Sequence, residues 1–230
     1  ANDNRTPSGT YVGDTLVLRL TVATVVWHFV GDSNPPLTVA AFAEEGKTPT
    51  IPAPLIRVRT GRPIHVIVRN SFDDTLIVRG LSDASPAVDS LVLLPRTTRE
   101  VTFSRTHAGT YQYWATLAEW QRNVPLPPQR RLHGLMRPRF DSQLTGALIV
   151  DAPGAMPNDR IFVITETVDQ APPIRNDHRG MPGREFTAIN GRSWPYTERL
   201  HYTVGDTVHW RIINATFQSH PMHLHGFYFR

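Results

Sequence analysis

Apolar and polar residues alternate along most of this chain, and that alternation predicts strands. Tyr11-Val12 is followed by Thr15-Leu16-Val17-Leu18-Arg19-Leu20-Thr21-Val22, and Val25-Val26-Trp27-His28-Phe29-Val30 reads as a further strand. Arg57-Val58-Arg59 leads through Gly61 into Ile64 to Arg69, and Thr75 to Arg79, Glu100 to Phe103, Gly109 to Trp114 and Leu144 to Val150 continue the series. A period of two puts one face of each run in a core and the other in water, and turn residues separate each run from the next. A spacing of about 8–12 residues is that of a β-sandwich or barrel. A helical period survives only loosely, over Thr116 to Arg122.

A break falls at Asp151-Ala152-Pro153-Gly154, and a new strand series begins at Arg160-Ile161-Phe162-Val163-Ile164. Gln170 to Gly183 is a loop rich in proline, glycine and charge. The expected division is a first domain over residues 1–152 and a second over 153–230. A seven- or eight-stranded sandwich needs around 100 residues. The second unit is shorter than that, and the sequence stops inside the strand-like run Phe227-Tyr228-Phe229-Arg230. It is therefore expected to be incomplete, its partner strands coming from another polypeptide or from a longer chain.

Composition agrees with an all-β reading. Of 230 residues, 40% are apolar and 19% charged, and 20 prolines and 15 glycines are spread along the chain, which disfavours a helical bundle. No apolar run approaches the roughly 20 residues of a membrane-spanning helix. The polar start, Ala1-Asn2-Asp3-Asn4-Arg5, carries no signal peptide, as in a mature secreted protein. Cysteine is absent, which excludes disulfides, thiol catalysis and any thiolate-ligated metal within this chain.

The net charge is +4 with an isoelectric point near 9.8, and Lys47 is the only lysine. The arginines are scattered. Arg57, Arg59 and Arg69 fall at period two, on the expected outer face of strands. The densest basic group, Gln129-Arg130-Arg131 to Arg137-Pro138-Arg139, lacks the interleaved aromatics of a single-strand binder, so nucleic acid is not an expected partner.

An internal repeat exposes the chemistry. Ile56 to Asn70 aligns with Leu200 to Asn214 at constant offset, Gly61 falling on Gly205, His65 on His209 and Asn70 on Asn214. After a two-residue gap, Ile77-Val78-Arg79-Gly80 falls on His223-Leu224-His225-Gly226. Both halves read as strand, glycine turn, strand, short loop, strand, as a duplicated sandwich would.

The second copy holds the densest polar cluster, His220-Pro221-Met222-His223-Leu224-His225-Gly226. On a strand, His223 and His225 would share a face about 6–7 Å apart and reach one metal ion, whereas His220, across a proline, would serve a different centre. Imidazole suits copper, zinc, iron and nickel. The alternative is a solvated or core-satisfied histidine cluster.

His-Pro-Met-His-Leu-His-Gly resembles the histidine motif in the last domain of multicopper oxidases, the laccase-type cupredoxins. Ile51-Pro52-Ala53-Pro54-Leu55-Ile56-Arg57-Val58 is similar to that family's Pro-Gly-Pro-x-Ile-Arg-Val segment. Ala108-Gly109-Thr110-Tyr111-Gln112-Tyr113 is similar to its Pro-Gly-Thr-Tyr-Trp-Tyr strand. Gly146 to Asp151 resembles the strand closing the first domain, and Ile189-Asn190-Gly191-Arg192 the opening of the final one. The resemblance implies two cupredoxin-like Greek-key β-sandwich domains, copper as cofactor and an oxidoreductase function. It further implies His220 as a type 1 copper ligand, and His223 and His225 as ligands of the type 2 and type 3 coppers of a trinuclear cluster.

The chain also departs from the pattern. The family's first domain supplies two His-x-His pairs, at positions where this chain has Ile77-Val78-Arg79 and Trp114-Ala115-Thr116. Isoleucine and tryptophan do not bind copper, arginine repels a cation and threonine is a poor ligand for it. The final His-Cys-His segment is absent as well. The expectation is a multicopper-oxidase-like copper protein without a complete oxygen-reducing centre. The alternatives are a non-catalytic cupredoxin scaffold and a copper-sequestering protein.

By family habit the protein is periplasmic or secreted and self-associates as a trimer, or else joins a C-terminal remainder of itself. A small-molecule electron donor is its expected partner, and no membrane is. His28, His65, His107, His133, His178, His201 and His209 are scattered singly, and the shared repeat position of His65 and His209 suggests a structural role. Trp114, Trp120, Trp194 and Trp210 are expected in cores or interfaces, and Asp83, Asp89 and Asp141 as turn or capping acids. No nucleophile elbow, phosphate loop or dinucleotide fingerprint is present.

Overall fold

This computed structural model describes all residues except 33, 35, 84–88, 119–141, 156, 170–183, 217, 227 and 229–230, and among the described residues thirteen β-strands carry the fold. The strands are β1 (Thr10–Val12), β2 (Thr15–Trp27), β3 (Leu37–Glu44), β4 (Ala53–Arg59), β5 (Pro63–Asn70), β6 (Leu76–Arg79) and β7 (Leu91–Leu93). They continue with β8 (Thr98–Ser104), β9 (Gly109–Leu117), β10 (Thr145–Asp151), β11 (Asp159–Asp169), β12 (Arg184–Ile189) and β13 (His209–Asn214). The basic group at 129–139, Trp120, His133, Asp141, His178, the loop at 170–183, Phe227, Phe229 and Arg230 lie outside the described residues.

Two five-stranded sheets face each other. The first runs β1-β2-β5-β8 with β3 also on β2; the second runs β4-β10-β9-β6-β7. Leu16, Leu18 and Leu20 of β2 and Ile64, Val66 and Val68 of β5 meet Val78, Tyr113, Leu148 and Val150 of the second sheet in one core. Strict alternation produces this, because every second residue points inward. Tyr113 is fully buried, and its hydroxyl donates to the Pro54 carbonyl at 2.5 Å.

A third, smaller sheet, β12-β11-β13, lies on the outer face of the second. Leu55, Ala147 and Ile149 pack there against Ile161, Val163 and Ile213. With both faces covered, β10 is buried along all seven of its residues. A further cluster joins Trp27, Phe29, Val39 and Ile51 to Ala188 of β12, and the Trp27 indole donates to the Gly191 carbonyl at 2.8 Å.

The third sheet repeats part of the first. Strand β2 pairs parallel with β5 and antiparallel with β3, as β11 pairs parallel with β13 and antiparallel with β12. The aligned turn glycines Gly61 and Gly205 both have positive φ, at 74° and 100°, and Gly80 and Gly226 match at 83° and 81°.

Several expectations change. The strand beginning at Thr15 does not stop near Val22 but continues to Trp27, because β3 pairs with it throughout Leu20–Trp27. Arg57 is not on a solvated face: its side chain is only 12% exposed, since the third sheet covers that side. Trp194 is not packed in a core but 77% exposed. Residues 220–226 do not form a strand.

Candidate metal centre

His223 and His225 come together without a strand. Their rings meet edge to face, with centroids 4.8 Å apart and planes at 80°. Both side chains are exposed, as is Met222 at 46%. The expected shared strand face is replaced by a ring-to-ring contact within a loop. Two imidazoles at this separation can turn their nitrogens onto a common ion.

His220 is directed elsewhere. Its Nε2 lies 2.9 Å from the Thr216 hydroxyl, and the ring is half-buried. Thr216 belongs to a turn following β13. The Asn214 Oδ1 accepts from the Thr216 backbone N–H at 3.0 Å and from its hydroxyl at 2.8 Å, while Asn214 Nδ2 donates to the Gln218 carbonyl at 2.7 Å. Such side-chain-to-backbone bonds are the usual way a short polar residue organises a turn. Sequence reasoning passed over Thr216, although Asn-x-Thr at a strand end is a visible turn signal. Among the described residues, no three His, Asp or Glu side chains converge as a metal site.

The four first-domain positions form one patch. Strands β6 and β9 pair so that Ile77 sits opposite Thr116 and Arg79 opposite Trp114. These residues alternate with Val78, Tyr113 and Ala115, which face the core, so all four lie on the opposite face of the sheet. Thr116 is buried, and its hydroxyl has no hydrogen-bond partner among the described residues. The patch offers a guanidinium, two apolar side chains and one hydroxyl. That donor set does not fit copper, whereas the His223–His225 pair fits as two ligands of one ion.

His65, His28 and His107 have partners of their own. His65 approaches Glu100 at 3.2 Å, His28 approaches Asp32 at 3.8 Å, and His107 contacts the neighbouring Thr106 hydroxyl at 3.1 Å. Asp89 is buried at the end of a loop and accepts from the Gly80 N–H and the Ser82 hydroxyl, the anchoring role expected of a turn acid. Trp210 packs edge to face on Phe162 at 5.8 Å.

A second polar constellation sits at the far end of the third sheet. Arg57 donates in pairs to Asp151 (2.8 and 2.9 Å) and Asp159 (2.8 and 3.1 Å), and Arg211 donates to Asp159 and to the Thr110 hydroxyl. Burial pushes the Asp159 carboxyl up, but hydrogen bonds from Arg57 and Arg211 prevail and hold it below its ordinary value. Burial likewise opposes the charge on Arg57, and the two aspartates more than offset it. A cleft of about 480 Å³ opens beside this cluster, lined also by His209 and Trp210. The guanidinium and carboxylate groups here satisfy one another, which makes the cluster a bolt between sheets.

Residues 167–230 match the family model described as multicopper oxidase. No protein of curated function matches the chain by sequence. Among solved structures the chain is similar to the multicopper oxidase mgLAC, at 20% identity over 87% of this chain and 61% of that one, with a TM-score of 0.59. It is similar to the blue copper oxidase of Nitrosomonas europaea at 22% identity, 87% and 60% coverage and a TM-score of 0.57. The copper nitrite reductase of the same organism aligns at 16% identity, 87% and 67% coverage and a TM-score of 0.60. The chain thus spans about 60% of the length of the first two relatives. These likenesses establish the all-β, cupredoxin-like fold. The match to the multicopper oxidase family model covers the histidine-bearing segment.

Proposed function

We propose that this chain is a copper-binding protein of the multicopper oxidase type in which copper is held from the second unit only. The observation that carries this is the contrast between two aligned places. His223 and His225 bring two imidazoles to 4.8 Å, while the repeat-equivalent Ile77 and Arg79, with Thr116 and Trp114 opposite them, offer copper nothing. In this reading His223 and His225 hold one ion and His220 belongs to a separate centre. Bound copper would supply one-electron chemistry there.

The proposal includes the division into units at about residue 152. It also includes a periplasmic or secreted compartment and self-association of the kind used when a site is completed by a neighbouring subunit. Among the described residues no helix is long and apolar enough to cross a membrane. A chain whose first-domain patch is blind to copper does not assemble a trinuclear cluster even when its subunits associate. It therefore lacks the four-electron reduction of dioxygen.

The full chain, loaded with copper and dialysed, tests this. Retained copper should fall to background in the His223→Ala, His225→Ala double variant, and oxygen uptake with a phenolic electron donor should stay at the level of free copper. Copper retention unchanged by the double variant, or oxygen uptake well above that of free copper, overturns the reading. Sedimentation showing only monomer at micromolar concentration removes the self-association.

The alternative, a scaffold without copper, has one observation in its favour: both rings are exposed, and no third ligand joins them among the described residues. Wild-type protein retaining no copper after dialysis selects it.

A further inference from the structure

We infer that residues 2–8 form a strap that fastens the third sheet to the edge of the second, with the Glu198 carboxylate as its latch. Removing the latch frees the strap and leaves the rest of the fold standing. This does not depend on any histidine being a metal ligand.

Strand β4 lies at one edge of the second sheet, and residues 2–8 run along its open side. The Asn2 N–H donates to the Ile51 carbonyl at 2.8 Å and its Nδ2 to the Ala53 carbonyl at 3.0 Å. Further on, the Ser8 N–H donates to the Leu55 carbonyl at 2.8 Å. Covering a strand edge in this way keeps its backbone groups from pairing elsewhere. Between these points the segment reaches the third sheet. Asn4 Nδ2 donates to Asn190 Oδ1 at 3.0 Å. Asn190 in turn holds β11, accepting from the Val163 N–H and donating to the Ile161 carbonyl, both at 2.9 Å. Both asparagines are buried with positive φ, 55° and 50°, a conformation this residue type tolerates.

Asn4 is the one buried residue among residues 1–9, so no apolar side chain anchors the segment. Its hold is polar, and Glu198 supplies the charged part. One carboxylate oxygen accepts from Arg5 of the strap and the other from Arg160 of β11. The Arg160 side chain is only 12% exposed, lies over the Phe162 ring at 5.8 Å and brings Nη1 to 3.5 Å from the Asp3 carbonyl. A lone exposed ion pair would hold little. A carboxylate shared by two guanidiniums, one of them mostly buried, holds more, because its bonds are charge-assisted and less screened. Opening the strap breaks these few contacts alone, so it costs far less than unfolding the whole chain.

The test applies amide hydrogen exchange and brief, dilute trypsin to the full chain at neutral pH. Cleavage after Arg5 requires the strap to leave, and its rate follows the open population. In Glu198→Ala, release of the peptide ending at Arg5 should be about tenfold faster, the size of one charge-assisted hydrogen bond. Exchange at the Ser8 amide should quicken with it, while that of Leu148 on buried β10 stays at the wild-type rate. Asn4→Gly, which keeps the positive φ and removes the other anchor, should do the same. Glu45→Ala, which breaks only the exposed contact with Arg19 at 3.6 Å, should change nothing. A wild-type release rate in Glu198→Ala overturns the strap. So does faster cleavage without faster Ser8 exchange, or Leu148 exchange that quickens as much as that of Ser8.

Discussion

Asn70 and Asn214 make the same two hydrogen bonds in the two halves of the chain. Each accepts from the backbone N–H two residues on (3.0 Å in both cases) and donates from Nδ2 to the carbonyl four residues on, at 2.8 and 2.7 Å. The duplication seen in the sequence is thus preserved at the level of single atoms. What differs is burial. Asn70 is fully buried and its Nδ2 also lies 3.1 Å from the Leu94 carbonyl, whereas Asn214 is exposed.

That difference predicts unequal costs for the same substitution. Asn70→Ala leaves buried backbone groups without partners and should destabilise by about 2–3 kcal/mol. Asn214→Ala, at the surface, should cost within about 0.5 kcal/mol while loosening the turn that leads to His220. Urea unfolding of both variants checks this, and equal shifts in stability would count against it.

The Arg57 cluster predicts both a mutational and a pH effect. Arg57→Met leaves Asp151 and Asp159 as buried carboxylates short of their main partner and should cost about 3–5 kcal/mol. Asp159 has its pKa lowered in the folded protein, and so does Glu198, where burial is outweighed by hydrogen bonds from Arg5 and Arg160. A lowered folded value means stability that is complete above the ordinary carboxylate range, near pH 4, and is lost as pH falls through the folded values. Acid unfolding followed by tryptophan fluorescence should begin below about pH 4 in the wild type. Arg57→Met should shift the transition to higher pH.

Gly146 sits against the face of the buried Tyr113 ring. A methyl group there would come within 2.4 Å of it, and within 2.7 Å of a hydroxyl already bonded to Pro54. Gly146→Ala should therefore destabilise by about 1–3 kcal/mol through overpacking. Gly154→Ala meets only open space and probes its positive φ of 75° alone, so it should cost about 1 kcal/mol. Thermal unfolding of the pair separates crowding from backbone strain.

The patch on β6 and β9 predicts a gain. Replacing Ile77, Arg79, Thr116 and Trp114 together by histidine puts four imidazoles on one face, in two directly opposed pairs. Opposed residues in a sheet stand about 4.5–5.5 Å apart at Cβ, close enough to share an ion. The quadruple variant should retain additional copper per chain by atomic spectroscopy. The Arg79→His single variant should not.

Much of the fold was legible along the chain because alternation is a local property. The runs that became β2, β5, β9 and β10 each announce a buried face. Strand β3 escaped notice because Ala40-Ala41-Phe42-Ala43 is apolar on both faces, and β7 because three residues are too few to show a period. The histidine motif was legible for a similar reason: two residues at spacing two can meet in an extended segment, with or without a strand.

Sequence alone thus determined the strand series, the duplication, the turn glycines and the presence of two neighbouring imidazoles, all of which depend on residues within a few positions of one another. The tertiary structure decided what was placed across long separations. It turned the outer face of β4 and β10 into an interior by laying the third sheet on it, so that Arg57 became the centre of a buried ion cluster rather than a surface charge. It also set the β6–β9 register that gathers Ile77, Arg79, Trp114 and Thr116 into one patch. The physical reason is that the pattern of a strand says which residues share a face, while the neighbour that covers that face is chosen by the packing of the whole chain.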